Sequence, residues 1–167
     1  MNFEKQYKCA FYTLIIFCFF FFTSTAQTTS TCKKETKDLW RELADSGKYQ
    51  DAIDVLLDSL QTSKQKNKHE IYWHVGQLYA FNNEYDSAIE NMKKSTNFFN
   101  KIFDREWRLY FNGTIAFLKK DKKKLKSYSE KLWKKHSGYY YFNAFKLKAL
   151  YENFNMPYKL AYDEACK

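Results

Sequence analysis

Glycine and proline are nearly missing from this chain, with four and one in 167 residues, and Pro157 is the single proline. Without that turn punctuation a many-stranded sandwich or barrel is excluded, and a mostly helical protein is favoured. Cysteine is scarce too. Of the four, Cys9 and Cys18 fall in an apolar N-terminal run, which leaves Cys32 and Cys166 at opposite ends of the rest. A bridge between them needs Cα atoms within about 7 Å, and a stack of helical hairpins is expected to hold its ends apart. Also lacking are a G-x-S-x-G elbow, a Walker loop and a cysteine with a plausible histidine partner. No enzyme, no cofactor and no catalytic residue is expected.

What is abundant is aromatic side chain and lysine. One residue in five is Phe, Trp or Tyr, and the formal net charge is +9. Apolar and solvated faces must then alternate, as they do on amphipathic helices. The N-terminus has the build of a secretory signal. A short charged region, MNFEKQYK, precedes an apolar run from Cys9 to Phe22, and Ser24 and Ala26 stand at the small-residue positions before a cut at Gln27. The run is shorter than the roughly 20 residues a spanning helix needs. Removal of residues 1–26 takes away Lys5, Lys8 and Glu4 and lowers the charge from +9 to +8. The chain is expected to be exported, periplasmic or secreted, from a bacterial cell; the alternative is an anchor formed by an uncleaved N-terminal segment.

Residues 27–34 are polar and small and serve as a linker. From Glu35 the pattern turns helical. Apolar residues recur at Leu39, Trp40, Leu43 and Ala44, and after Gly47 at Ile53, Leu56, Leu57 and Leu60. The next segment repeats the arrangement, with a helix to about Phe81, a break at NNEY and a second helix from Asp86. Tyr49 and Tyr85 follow the two breaks at an interval of 36 residues, and Ala52 and Ala88, Ile53 and Ile89, Leu56 and Met92 correspond. A period of this size means stacked hairpins. Gly113 and Leu125 repeat the twelve-residue interval of Gly76 and Ala88 in a third unit, although Leu125 is large for that position. Ala149, Pro157, Ala161 and Ala165 mark a fourth.

The stretch YWHVGQLYAFNNEYDSAIENM, residues 72 to 92, resembles the tetratricopeptide repeat at Tyr72, Val75, Gly76 and Tyr79 in its first helix and at Ala88 and Met92 in its second. The closing proline is absent. In the first unit Trp40 stands where the small residue belongs. The resemblance implies an all-α fold, a right-handed α-solenoid of about four helix-turn-helix hairpins, here 35–64, 69–100, 104–136 and 139–167. Gly76 and Ala88 are expected to let the paired helices approach closely, with Tyr72, Val75, Gly76 and Tyr79 as one core stripe.

Such arrays bind partners on first-helix residues that point away from that stripe. The resemblance places Trp73, His74, Gln77 and Phe81 there in the second unit, and Trp107, Tyr110, Phe111 and Thr114 in the third. Rigid rings of this kind are enriched at binding hot spots. Members that clamp carboxy-terminal peptides use lysines and asparagines; Lys34, Lys37 and Arg41 could begin such a clamp, but Trp73 and Gln77 do not continue it. The expected function is a non-catalytic protein–protein interaction module, a scaffold or adaptor of the cell envelope that holds a protein or peptide.

Charge and histidine supply the other candidates. Lys119, Lys120, Lys122, Lys123, Lys124 and Lys126 form a basic run. An expected export signal argues against nucleic acid, so the alternative function is a structural subunit that touches anionic membrane; a small hydrolase ranks below it. Asp51, Asp54 and Asp58 fall on one face of a helix, expected to be solvated. His69 and His74 are five residues apart, about 140° around a helix, so they do not share one ion and no metal site is expected. His136, among lysines, is expected to be exposed. Asn112 begins an NGT acceptor that falls inside a helical pattern.

Overall fold

The computed structural model describes residues 39–62, 65–96 and 104–166. The expected signal, the linker, Cys32 and the clamp lysines Lys34 and Lys37 lie outside these residues, and so does the side chain of Cys166. Among the described residues the elements are all helical. They are α1 (39–45), α2 (Tyr49–Thr62), α3 (Gln65–Phe81), α4 (Tyr85–Lys94), α5 (Arg105–Leu118), α6 (Lys122–Lys135), α7 (Tyr141–Glu152) and α8 (Tyr158–Asp163). Short 3-10 turns occupy Gly138–Tyr140 and Glu164–Cys166. Consecutive helices pack in pairs. In addition α7 packs on α5, and α8 reaches α3.

Three of the four hairpin turns are the same turn. Gly47, Asn83 and Lys120 each hold a left-handed conformation, with φ of 79°, 64° and 57°. In each, the following N–H bonds back five residues: Lys48 to the Leu43 carbonyl at 2.9 Å, Glu84 to Tyr79 at 2.9 Å and Asp121 to Ala116 at 2.8 Å. The left-handed residue itself bonds back three, to Ala44, Ala80 and Phe117. This is the Schellman ending, which satisfies carbonyls that a helix end would otherwise leave open. The second helices begin at Tyr49, Tyr85, Lys122 and Tyr158, in steps of 36, 37 and 36. The fourth turn differs. Asn153 caps α7 by bonding the Ala149 carbonyl through both its N–H and its side-chain amide, and Pro157 stands just before α8.

The small residues act at closest approach. A Cβ on Gly76 would lie 2.6 Å from Met92 Cγ and 3.0 Å from the backbone of Ala88 and Met92, so α3 and α4 meet nearly backbone to backbone. Gly113 serves a different neighbour from the one its spacing suggests. The atoms nearest a Cβ there are the methyls of Leu147 on α7, at 2.5 and 2.6 Å. Of the expected stripe on α3, Val75 and Gly76 are buried while Tyr72 and Tyr79 stand half-buried at its rim. Helix α3 is apolar on more than one side because it is sandwiched. Val75 and Leu78 join Ala52, Ile53 and Leu56 in one cluster, while Trp73 and Ala80 join the cluster built from α4 to α8. Asp51, Asp54 and Asp58 are exposed on α2.

Candidate binding surfaces

The first-helix face of α3 and α5 is occupied by the chain itself. Helix α8 lies against it, and its two tyrosines make the contact. Tyr158 is fully buried, its ring 5.7 Å from Phe81 and 5.6 Å from Phe117, and its N–H donates to the Tyr85 hydroxyl at 3.1 Å. Tyr162 packs edge-on to Phe81 at 5.6 Å, and its hydroxyl accepts from the Gln77 side-chain amide at 3.4 Å. Lys146 of α7 donates to the Tyr162 carbonyl at 3.1 Å and lies 4.0 Å above its ring. Burial pushes the phenols of Tyr110 and Tyr158 well above their ordinary value, with the neighbouring Tyr162 adding to it, so both are neutral hydroxyls near neutral pH.

The expected groove residues therefore divide. Gln77 and Phe81, expected in an open groove, are covered by the chain's own α8. Trp73, Tyr110 and Thr114, expected on an open surface, are core at 7%, 2% and 0% exposure. The reason is the thickness of the rings. The Trp73 indole fills the space between α3 and α5, 4.7 Å from Trp107, 5.6 Å from Tyr110 and 6.1 Å from Phe111. Trp107 and Phe111 are half-buried at that contact. His74 is half-buried at the other edge of α3, its ring 4.9 Å from Trp40 and its Nε2 3.7 Å from Glu70. Burial draws its pKa below the ordinary value, against the pull of Glu70.

Tyr158 and Tyr162 were not singled out by the sequence reasoning. A signal existed for the first of them, because Tyr158 stands at the head of its helix as Tyr49 and Tyr85 do. Beside the seat of α8 runs an open cleft of about 510 Å³, lined by Gly47, Tyr49, Phe81, Lys159, Tyr162 and Asp163 among others. Burial draws the Lys159 ammonium down, but the hydrogen bond and charge of Asp163 outweigh it and hold it above its usual value.

The basic run is exposed at all six positions, yet most of its charge is engaged within the chain. Lys124 pairs with Asp121 at 2.8 Å and Lys126 with Glu130 at 3.9 Å. Lys120 lies over the rings of Tyr85, Phe117 and Phe154, and Lys122 over Tyr151 and Phe154. Asp121, the N-cap of α6, accepts from the Lys124 N–H, and the Lys124 ammonium with that bond holds its carboxyl below the usual range.

His136 is not the exposed histidine expected among lysines. It is half-buried, 5.9 Å from Trp133 and 5.5 Å from Tyr141, in a ring of aromatics completed by Phe145. The trace of this group in the sequence is the run GYYYF, which cannot bury every ring on a helix. Asn112 is half-buried inside α5. Among the described residues no three His, Cys, Asp or Glu side chains gather where an ion could be held, and no helix is long and apolar enough to cross a membrane. No protein-family model matches the chain, and neither a curated protein nor a solved structure matches it.

Proposed function

We propose that the chain is a non-catalytic protein–protein interaction module, an array of four hairpins of the tetratricopeptide kind that acts as a scaffold or adaptor in the bacterial cell envelope. The observation that supports this reading is the seat of α8. A six-residue helix makes too few internal hydrogen bonds to hold itself in water, so its order comes from the surface beneath it. That surface, made by Gln77, Phe81, Tyr85 and Phe117, already receives a short helix by two rings and a few polar anchors. A partner segment that presents aromatic rings one helical turn apart, as Tyr158 and Tyr162 do, fits the same seat. Its apparent affinity is then set by competition with α8, since only the fraction of molecules with α8 displaced can receive it. In this reading residues 1–26 are a secretory signal, which puts the partner in the periplasm or outside the cell.

The test is crosslinked capture from the envelope fraction of the native cell by three forms: the intact chain, Tyr162→Ala, which loosens α8, and Gln77→Ala with Phe81→Ala, which damages the seat. One partner held by the intact chain, enriched by Tyr162→Ala and lost by the seat variant is the expected result. Equal capture by all three would take the binding off the seat and sink the reading.

A further inference from the structure

The junction of α6 and α7 carries a surface that the reading above does not use. Tyr139 is 86% exposed, Phe142 76%, Tyr141 44% and Trp133 39%. Soluble surfaces seldom leave so much adjoining apolar ring area in water without a use. The segment that carries them is held firmly. The Glu106 carboxylate accepts from the Ser137 N–H at 3.0 Å and from its hydroxyl at 2.7 Å, and the Tyr140 hydroxyl donates to Asp104. With Ser137 and Tyr140 tied to the start of α5, Tyr139 between them is held outward. Trp133, Phe145, Tyr141 and His136 close a circuit of ring contacts of 4.6 to 5.9 Å behind it.

Lysine predominates along the stretch that carries these rings. From Lys131 to Tyr151 the chain holds five lysines and no Asp or Glu. Lys131, Lys134 and Lys135 are exposed, and Lys148 lies 5.0 Å from the Trp133 ring. The carboxylates that meet the segment are held within the chain: Asp104, the N-cap of α5, accepts from Tyr140, Glu106 of α5 accepts from Ser137, and Glu152 pairs with Lys148 at 3.6 Å.

We propose that this junction is a docking surface for an anionic lipid bilayer, with Tyr139 and Phe142 entering the interfacial zone, Trp133 and Tyr141 at its edge, and Lys131, Lys134 and Lys135 against the head groups. Aromatic rings with a polar handle settle at the depth of lipid head groups, and nearby lysines are drawn to a negative leaflet. A bilayer fits better than a peptide because Tyr139 and Phe142 project from the surface instead of lining a depression. These residues differ from the lysine run at 119–126, and the inference stands or falls without the seat of α8.

The test uses the full chain and the fluorescence of Trp133, the most exposed of its tryptophans. Vesicles of phosphatidylcholine brominated on its acyl chains, made with about a third phosphatidylglycerol or with none, quench a tryptophan only where it meets the interface. Residues 1–26 contain no tryptophan, so an N-terminal segment that enters the vesicle gives no signal of its own. Quenching is expected for the intact chain and absent for Trp133→Phe. It should weaken at least about tenfold in apparent affinity for Tyr139→Ser with Phe142→Ser, since two rings lose their burial. Those two side chains are exposed, so the variant should keep its fold, checked by an unchanged melting temperature. Lys131→Gln, Lys134→Gln and Lys135→Gln together should remove the preference for anionic over neutral vesicles. Quenching that is the same in the Tyr139, Phe142 variant, or the same on purely neutral vesicles, overturns the proposal. So does a surface that ignores vesicles but binds an acidic peptide, or one that joins two copies of the chain in a dimer broken by the same variant.

Discussion

The second and fourth hairpins share a spacing and end in different places. In both, a small residue on the first helix stands twelve before an alanine on the second, Gly76 with Ala88 and Ala149 with Ala161, and a tyrosine heads the second helix. Yet α4 stays against its partner α3, backbone nearly touching backbone, while α8 also reaches across to α3, two hairpins back. The difference lies in length and in the turn. Helix α4 has ten residues, a Schellman turn before it and a buried stripe of Ala88, Ile89 and Met92. Helix α8 has six, enters from a longer turn through Pro157, and keeps Leu160 56% exposed. A short helix with two tyrosines as its main apolar content goes where rings and hydrogen-bond partners are, and these lie on α3, α4 and α5.

The largest test of that contrast is Tyr158→Ala. Removing a fully buried ring is expected to cost about 3–5 kcal/mol in urea unfolding, more than Tyr85→Ala, whose side chain is half-buried. Tyr158→Phe should change stability by less than about 1 kcal/mol, because the buried hydroxyl makes no hydrogen bond. If Tyr85 proves the costlier of the two, α8 is a loose appendage and the contrast is broken.

Next come the glycines. Gly76→Ala drives a methyl into the backbone of α4 and should cost about 2–3 kcal/mol by overpacking. Gly113→Ala meets the ends of the Leu147 side chain, which can turn aside, and the helix gains about 1 kcal/mol of propensity over glycine. A net loss of no more than about 1 kcal/mol is expected, read from paired urea melts. Equal losses at both would mean that the two hairpin contacts are equally rigid.

A smaller effect separates the turns. Gly47→Ala should cost about 1 kcal/mol, because φ is 79° there and an L side chain is strained at that angle. An alanine at Asn153, which has no such backbone angle, should lose only its side-chain bond to Ala149, again about 1 kcal/mol. Adding glycine tells them apart: Asn83→Gly should be neutral or slightly stabilising, whereas Asn153→Gly should not recover the loss.

The smallest effect concerns His74 on α3, whose ring packs on Trp40. His74 has a folded pKa below its unfolded value of about 6.5. Between the two the unfolded chain binds more protons, so stability falls as pH drops below about 6.5 and levels off beneath the folded value. Replacing His74 by Gln should flatten that part of the pH profile of the urea midpoint, and a profile left unchanged would assign the slope to another group.

The helical nature of the chain was legible because the apolar residues recur at intervals of three and four with so little glycine and proline between them. The break at NNEY falls where the chain turns, at Asn82 to Glu84. Gly76 was legible as a contact because its partner is local, one turn and one helix away. Gly113 was not, since its partner Leu147 lies on the next hairpin and spacing carries no record of a neighbour 34 residues on. The same limit hid the fate of Trp73. Periodicity puts it off the stripe of Val75 and Gly76, which is true, but a helix packed on several sides has no outer face there for a ring to line.

Local interactions settled what the sequence by itself determined: helices, their breaks, the repeated interval near 36 residues and the charge of the exposed surfaces. These follow from contacts between residues close along the chain, where hydrogen bonds, steric preference and apolar periodicity act without reference to distant partners. Only the tertiary structure decided that α8 lies on α3, that Trp73 and Tyr110 are core, and that Tyr139 and Phe142 stand in water. Those outcomes depend on which apolar faces remain uncovered once every other helix has packed, and that is a property of the whole array.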